Sequence, residues 1–222
     1  MPTAPSPESG PPATRREQAK EERRERILAA AEALIRERDD TGFSMRELAD
    51  SADVAFATPF NLFESKERLL AALLFRRVWP PQRALAASAP GDDAIEHVSD
   101  FTTAALHTYT DDEGLFRPLL ATVLAPTVRA EGNSLEAAAE LWGRCLAPAR
   151  NDGLLRTDPD DRRLERALHV TFRGALLGWV RGESDLDQVA DDLHFTVGTL
   201  LAGAVTDDAR ERVTARFRLG AS

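Results

Sequence analysis

Asn61 carries an amide able to bond both the N6 and N7 edge of an adenine, and Phe56 and Ala57, about one helical turn earlier, can touch a thymine methyl. Thr58 stands between them. This is chemistry for reading base edges in a groove, not for breaking covalent bonds. Elsewhere the reactive side chains do not assemble. His97, His107, His169 and His194 show no His-Glu-x-x-His or other metal-ligand spacing. No glycine-rich phosphate loop follows a strand, because no strand is predicted. Cys145 lies among apolar neighbours without a histidine nearby, which reads as a small buried side chain, and as the only cysteine it has no internal disulfide partner. The expectation is a protein that is not an enzyme and has no catalytic residues, no metal and no cofactor.

The elements that must hold the base-reading residues can be traced from their punctuation. Arg15 to Arg38 carries a helical pattern in which Ile27, Leu28, Ala31, Leu34 and Ile35 share a face. Asp39 to Gly42 breaks it, with Gly42 suited to a left-handed residue after the helix end. Ser44-x-x-Glu47 is a capping box that opens a second, short helix with Met45, Leu48 and Ala49 inward. Ser51, Ala52 and Asp53 make a turn, Val54 is an apolar anchor, and Ala55 to Phe63 forms a third helix. Leu48, Ala49, Val54, Phe60 and Phe63 are expected to lock these two helices together. Phe56, Ala57, Thr58 and Asn61 are left facing out. With Ala55 as the cap, Pro59 becomes the fourth helical residue and removes one early hydrogen bond. Ser65 caps a fourth helix through Leu69, Leu70, Leu73 and Leu74 towards Val78, stopped by Pro80 and Pro81. The basic and acidic run Arg15 to Arg26 has two readings: a solvated helix start held by pairs such as Glu22 and Arg26, or an arm that reaches phosphates or the minor groove, with Arg15 and Arg16 its best candidates.

Composition sets the frame. Of 222 residues 43% are hydrophobic, enough for a real core, and the dominance of alanine, leucine, arginine and glutamate favours an all-α fold. The net charge of −9 sits mostly in the second part: residues 1–80 hold 13 basic and 14 acidic side chains, residues 81–222 hold 15 and 23. Phosphate binding depends on local contacts, so this balance neither requires nor excludes nucleic acid. Residues 1–14, with five prolines in the first twelve, read as a disordered tail without the apolar stretch of a signal peptide. The longest apolar run elsewhere, Gly174 to Val180, falls far short of the roughly 20 residues that span a bilayer. A cytoplasmic protein without membrane association is expected.

Two short helices joined by a tight turn form a helix-turn-helix. The run from Phe43 to Val54, then Ala-Phe-Ala-Thr58-Pro-Phe60-Asn-Leu-Phe63-Glu-Ser65-Lys66-Glu67-x-Leu-Leu70, resembles the N-terminal domain of the TetR family of bacterial transcriptional regulators. By position, the resemblance implies that Ser44 and Thr58 offer hydroxyls and amides to phosphates, that Phe60 stands at a backbone-contacting tyrosine position, and that Lys66 pairs with a phosphate. It places Arg46, Phe56, Ala57 and Asn61 within reach of base edges. Departures accompany it: Asp53 replaces a turn glycine, Phe56 a common lysine, and Leu62 a usual aromatic or histidine. The reading surface is therefore more apolar than the family's average. The implied partition is a tail at 1–14, a helix-turn-helix domain at 15–70 linked by a fourth helix to about 80, and a helical ligand-binding and dimerisation domain at 81–222.

Within that second part, helices are predicted at Ala94 to Tyr109, Gly114 to Leu124, Ser134 to Ala149 (capped by Asn133 or Ser134), Leu164 to Val180 after Asp158-Pro159-Asp160, Leu186 to Ala204 capped by Asp185, and a short tail helix after Asp207. Aromatic and polar residues among them, Phe101, His107, Phe116, Trp142, His169, Phe172 and Arg173, with Tyr109 and Arg117 alongside, are candidates for a small-molecule cavity, which in the resembled family holds the inducer. The resemblance also implies a homodimer through about 164–180 and 186–204, where Gly174 and Gly178 allow close approach. The expected partners are double-stranded operator DNA, an unknown small-molecule effector and a second copy of the chain. The expected role is a transcriptional repressor released by its ligand; the alternative is a TetR-like binding or interaction module that has lost DNA binding.

Overall fold

The computed structural model describes residues 15–88, 91, 93–125, 134–157 and 162–219. These fold into α1 (Arg15–Arg38), α2 (Met45–Ser51), α3 (Ala57–Phe63), α4 (Lys66–Ala86), α5 (Ala94–Thr110), α6 (Glu113–Val123), α7 (Ser134–Asn151), α8 (Arg163–Arg181), α9 (Leu186–Ala204) and α10 (Asp207–Arg216). Among the described residues the sole β feature is an isolated bridge between Leu155 and Val205. The all-α expectation holds. No described helix is long and apolar enough to cross a membrane, and no metal-binding cluster occurs among the described residues. The tail at 1–14, the cap candidate Asn133 and the Asp158-Pro159-Asp160 signal lie outside the described residues.

Two cores share the molecule. The first gathers Ile27, Leu28, Ile35, Phe43, Leu48, Phe63 and Leu70 around the N-terminal helices. The second packs α5, α7, α8 and α9 around residues such as Val98, Trp142, Cys145, Leu168 and Leu193. Cys145 is fully buried, and burial pushes its thiol up. Helix α6 serves both: Leu115 and Leu119 enter the first core, Phe116 and Leu120 the second. Ion pairs tie the same elements at the surface. The Arg36 guanidinium bonds both oxygens of Asp112 at 2.6 Å, and Arg76 of α4 reaches Glu25 and Glu32 of α1 at 2.7 and 3.2 Å.

Several predicted boundaries are corrected. The left-handed residue after α1 is Asp39 (φ 56°) and not Gly42, whose N–H instead donates to the Asp40 carboxylate at 2.5 Å. The helix itself ends at Arg38, where the sequence placed its end, because aspartate tolerates the left-handed conformation that follows. Helix α4 runs through Pro80 and Pro81 to Ala86. Two prolines remove two N–H donors, but Val78, Gln82 and Ala86 on either side are buried, so tertiary packing holds the helix across the gap. In α3 the N-cap is Phe56, which makes Pro59 the third helical residue. N–H groups there have no intrahelical acceptor, so Pro59 removes no helical bond, and its ring is buried instead.

At the other end of the chain, α10 folds back on α5 and α9. Arg212 and Arg216 pair with Asp93 and Asp100 at 2.6 and 2.8 Å. Phe217 sits so close to Gly198 that a Cβ there would lie 2.4 Å from its own, so only glycine admits this packing. The glycines of α8 behave differently: a Cβ at Gly174 would meet no atom within 4 Å, and one at Gly178 only the tip of Glu183. Among the described residues of one chain, then, no backbone approaches them.

Candidate nucleic-acid interface and effector cavity

The helix-turn-helix is held by local hydrogen bonds that the sequence made legible. The Ser44 hydroxyl oxygen accepts the Glu47 N–H at 3.2 Å, and the Glu47 carboxylate accepts the Ser44 N–H at 2.7 Å. That N–H, together with the Arg38 guanidinium at 2.9 Å, holds the Glu47 carboxyl down at about 2. The Ser44 hydroxyl bonds the same carboxylate and adds to the effect. Asp53 takes φ 50° in the turn, as its side chain allows.

Arg46, Phe56, Ala57, Phe60 and Asn61 are exposed, and Thr58 is half-buried. The Arg46 guanidinium lies 5.1 Å from the centroid of the Phe56 ring, which meets Phe60 edge-on at 5.7 Å. Phe56 and Phe60 are 52% and 41% exposed, a large apolar display for two adjacent rings. Phe60 is therefore corrected: it does not help lock α2 to α3, because starting the helix at Ala57 turns it outward and gives its inward place to Pro59 and Phe63. Val54 is partly buried against the first core, as an anchor should be.

Lys66 has a more specific environment than its position alone implied. Its ammonium donates to the Phe43 carbonyl at 2.5 Å and sits 4.6 Å from the centroid of the Phe43 ring. Partial burial lowers its pKa, although it stays a cation. One of three N–H donors is used, which leaves two for a phosphate. Phe43, missed as a site residue, is legible in retrospect: it precedes the Ser44 cap and shares a core with Leu48, four residues into the capping frame, as a hydrophobic staple does. Arg24 fits neither reading of the Arg15–Arg26 run, a solvated helix start or a free arm. It stacks on the Phe63 ring at 4.4 Å and donates to the Leu62 carbonyl at 3.4 Å. Arg15 and Arg16 are exposed within the first turn of α1.

A cavity of about 780 Å³ runs beside α4 and into the second core. Leu74, Phe75, Val78 and Trp79 form its α4 wall, from the Ser65 cap to Gln82. Leu120, Val123 and Leu124 close it from α6, and Trp142 and Phe172 from α7 and α8. Of the predicted ligand contacts, Trp142, His169, Phe172 and Arg173 line it, as does Tyr109. Phe101 and Phe116 do not. They are core residues set against Trp142 and Tyr109 at 5.0 and 5.4 Å. His107 and Arg117 are corrected outright: both face solvent, paired with Asp111 at 3.2 Å and Glu113 at 2.8 Å one turn away on the surface. The Trp79 and Gln82 side of α4 was missed because the proline pair was read as the end of that helix.

Residues 27–73 match the family described as "Bacterial regulatory proteins, tetR family", over the same α1-to-α4 unit whose capping box, turn and Ser65-capped fourth helix have just been described. Its N-terminal unit is that of a tetR-family regulator. The chain is 27% identical over 185 residues to the HTH-type transcriptional repressor KstR of Rhodococcus jostii, covering 82% of this chain and 84% of that protein. Among solved structures it resembles Thermus thermophilus FadR, a TetR-family repressor in complex with lauroyl-CoA (TM-score 0.64, 27% identity, 81% and 94% covered). It also resembles SmeT, repressor of the Stenotrophomonas maltophilia multidrug efflux pump SmeDEF (TM-score 0.59, 25% identity, 83% and 91% covered). With these regulators it shares a tetR-type DNA-binding unit followed by a helical second part.

For Lys66 a test follows from its geometry. In Lys66→Ala, affinity for all DNA sequences is expected to fall alike, and the slope of log affinity against log salt to shrink by about 0.9. Anisotropy titrations at several salt concentrations measure it; an unchanged slope would mean that Lys66 serves Phe43 alone.

Proposed function

We propose that this regulator is a homodimeric repressor whose hold on operator DNA weakens when a small apolar molecule fills the cavity beside α4. The observation that carries the reading is that one helix borders both sites. The α4 wall of the cavity begins at Ser65, the cap of the helix whose first residue is Lys66. A molecule that displaces this wall also displaces the anchor of the helix-turn-helix. Helix α6 supplies side chains to both cores and to the cavity, a second physical link of the same kind. The similar proteins fit the reading: KstR and SmeT are named repressors, and FadR is described with lauroyl-CoA.

In this mechanism Arg46, Phe56, Ala57 and Asn61 address base edges in the major groove. Ser44, Thr58, Phe60 and Lys66 address the backbone, and Lys66 sits where the α4 N-terminus adds partial positive charge. Two copies, joined through α8 and α9, set their recognition helices about 34–36 Å apart, one turn of DNA. Effector and operator then oppose each other by linkage, a coupling typically worth about 5- to 150-fold in affinity.

The purified dimer is expected to bind DNA from its own upstream region at low salt, two protomers to a site, and to release it as effector is added. Absence of binding to that DNA at low salt sinks the repressor reading.

A further inference from the structure

The charged and polar groups bordering the cavity are not equivalent. Arg24 is stacked on Phe63, and Arg68 pairs with Glu64. The Glu67 carboxylate is held by its own N–H and by Ser65. The Tyr109 hydroxyl, fully enclosed, is bonded with the Gln82 amide. His169 and Arg173 differ from all of these. They stand one turn apart on α8, both line the cavity, and among the described residues neither has a hydrogen-bond or ion-pair partner. Burial and the neighbouring Arg173 charge keep His169 below its usual range, so it sits there as a neutral imidazole beside a guanidinium. The remaining walls are Leu74, Phe75, Val78, Trp79, Trp142 and Phe172. The result is a mostly apolar space with one corner of positive charge that no described protein group pairs.

We infer that the effector is an apolar carboxylic acid, its carboxylate received by Arg173 beside His169 and its hydrocarbon body laid along α4. A planar guanidinium binds a carboxylate through two parallel N–H donors, and a neutral imidazole supplies a further one. A neutral lipid of the same shape fills the cavity but gains no ion pair from Arg173, which stays hydrated. A cationic amphiphile meets repulsion. The inference rests on the effector-cavity reading above and sharpens it to a ligand class.

Trp79 and Trp142 in the walls provide the readout. The full-length protein is titrated, by tryptophan fluorescence and by operator release, with sodium dodecanoate, 1-dodecanol and dodecyltrimethylammonium, each below its micelle concentration. Dodecanoate is expected to bind at least about tenfold more tightly than dodecanol, with the ammonium weaker still. Arg173→Gln is expected to erase that advantage while leaving dodecanol unchanged, and Arg173→Lys to restore part of it. Arg173 is exposed at the cavity edge, so both variants should fold, which circular dichroism checks. Equal affinity for dodecanoate and dodecanol, or an Arg173→Gln protein that still prefers the acid, overturns the inference while the cavity reading stands. If none of the three probes alters fluorescence or operator binding, the effector cavity itself falls with it.

Discussion

A chain carrying both Val170→Glu and Phe195→Glu is expected to fold normally, to run as a monomer and to lose operator affinity by about a hundredfold to ten-thousandfold. Val170 and Phe195 are 60% and 58% exposed on α8 and α9, although both residue types are usually buried. Beside them lie small residues without neighbours: a Cβ added at Gly174 or Gly203 meets no atom within 4 Å. Exposed apolar side chains next to open glycines make a surface suited to another helix pair, and a self-complementary patch of this kind forms a two-fold dimer. Two glutamates on each copy would place four unpaired carboxylates in that contact, where each must be desolvated without a partner. Neither position touches a core, so helix content and melting temperature should barely change. The loss of affinity is large because a palindromic site is held by two units at once. Split apart, each half binds alone and the effective concentration supplied by the first is gone. Sedimentation gives the mass and fluorescence anisotropy the affinity; a variant that remains dimeric, or a monomer that binds as tightly as the parent, defeats the α8–α9 assignment.

Much of this molecule was legible before its coordinates, and most of the exceptions share a cause. Signals confined to one turn of chain came through: the Ser44–Glu47 capping box, Ser65 as cap of α4, Asp185 as cap of α9, and the aspartate in the α2–α3 turn. Each depends on bonds between residues two to four apart. Most of what failed depended on neighbours distant in sequence, the left-handed Asp39 and the Phe56 cap of α3 being local exceptions. Pro80 and Pro81 read as a stop, yet α4 continues because Val78, Gln82 and Ala86 are packed by other helices. Phe60 was read inward from its apolar character, and a shift of the α3 start turned it to solvent. His107 fitted a polar cavity group in the one-dimensional pattern, but lies on the outer face of α5. For the cavity, helical spacing indicated which residues share a face and could not say which faces meet. Trp142, His169, Phe172 and Arg173 do converge, while the α4 wall opposite them was hidden behind the misread prolines.

The α6 leucines were equally hidden, and they support the second large effect. Leu119→Ala is expected to lower the free energy of unfolding by about 2–5 kcal/mol, the usual cost of deleting a well-packed leucine side chain. Leu119 has no exposure, and with Leu115 it completes the core of the DNA-binding unit, although its helix follows α5 in the second part of the chain. The surface ties between the same elements are weaker by nature. Arg36 and Asp112 hold excellent geometry, and the Thr41 and Thr122 hydroxyls meet at 2.7 Å, but the ion pair is partly solvated and such pairs contribute about 1 kcal/mol or less. Asp112→Asn should therefore cost far less than Leu119→Ala in urea unfolding. The comparison also bears on coupling. If the DNA-binding unit follows the cavity because α6 is wedged into its core, Leu119→Ala must shrink the change in operator affinity that effector produces, even where the variant is fully folded. Asp112→Asn should leave that change nearly intact. Equal stability losses for the two variants, or undiminished coupling in Leu119→Ala, would move the link back to α4, which carries the Ser65 cap at one end and the cavity wall along its length.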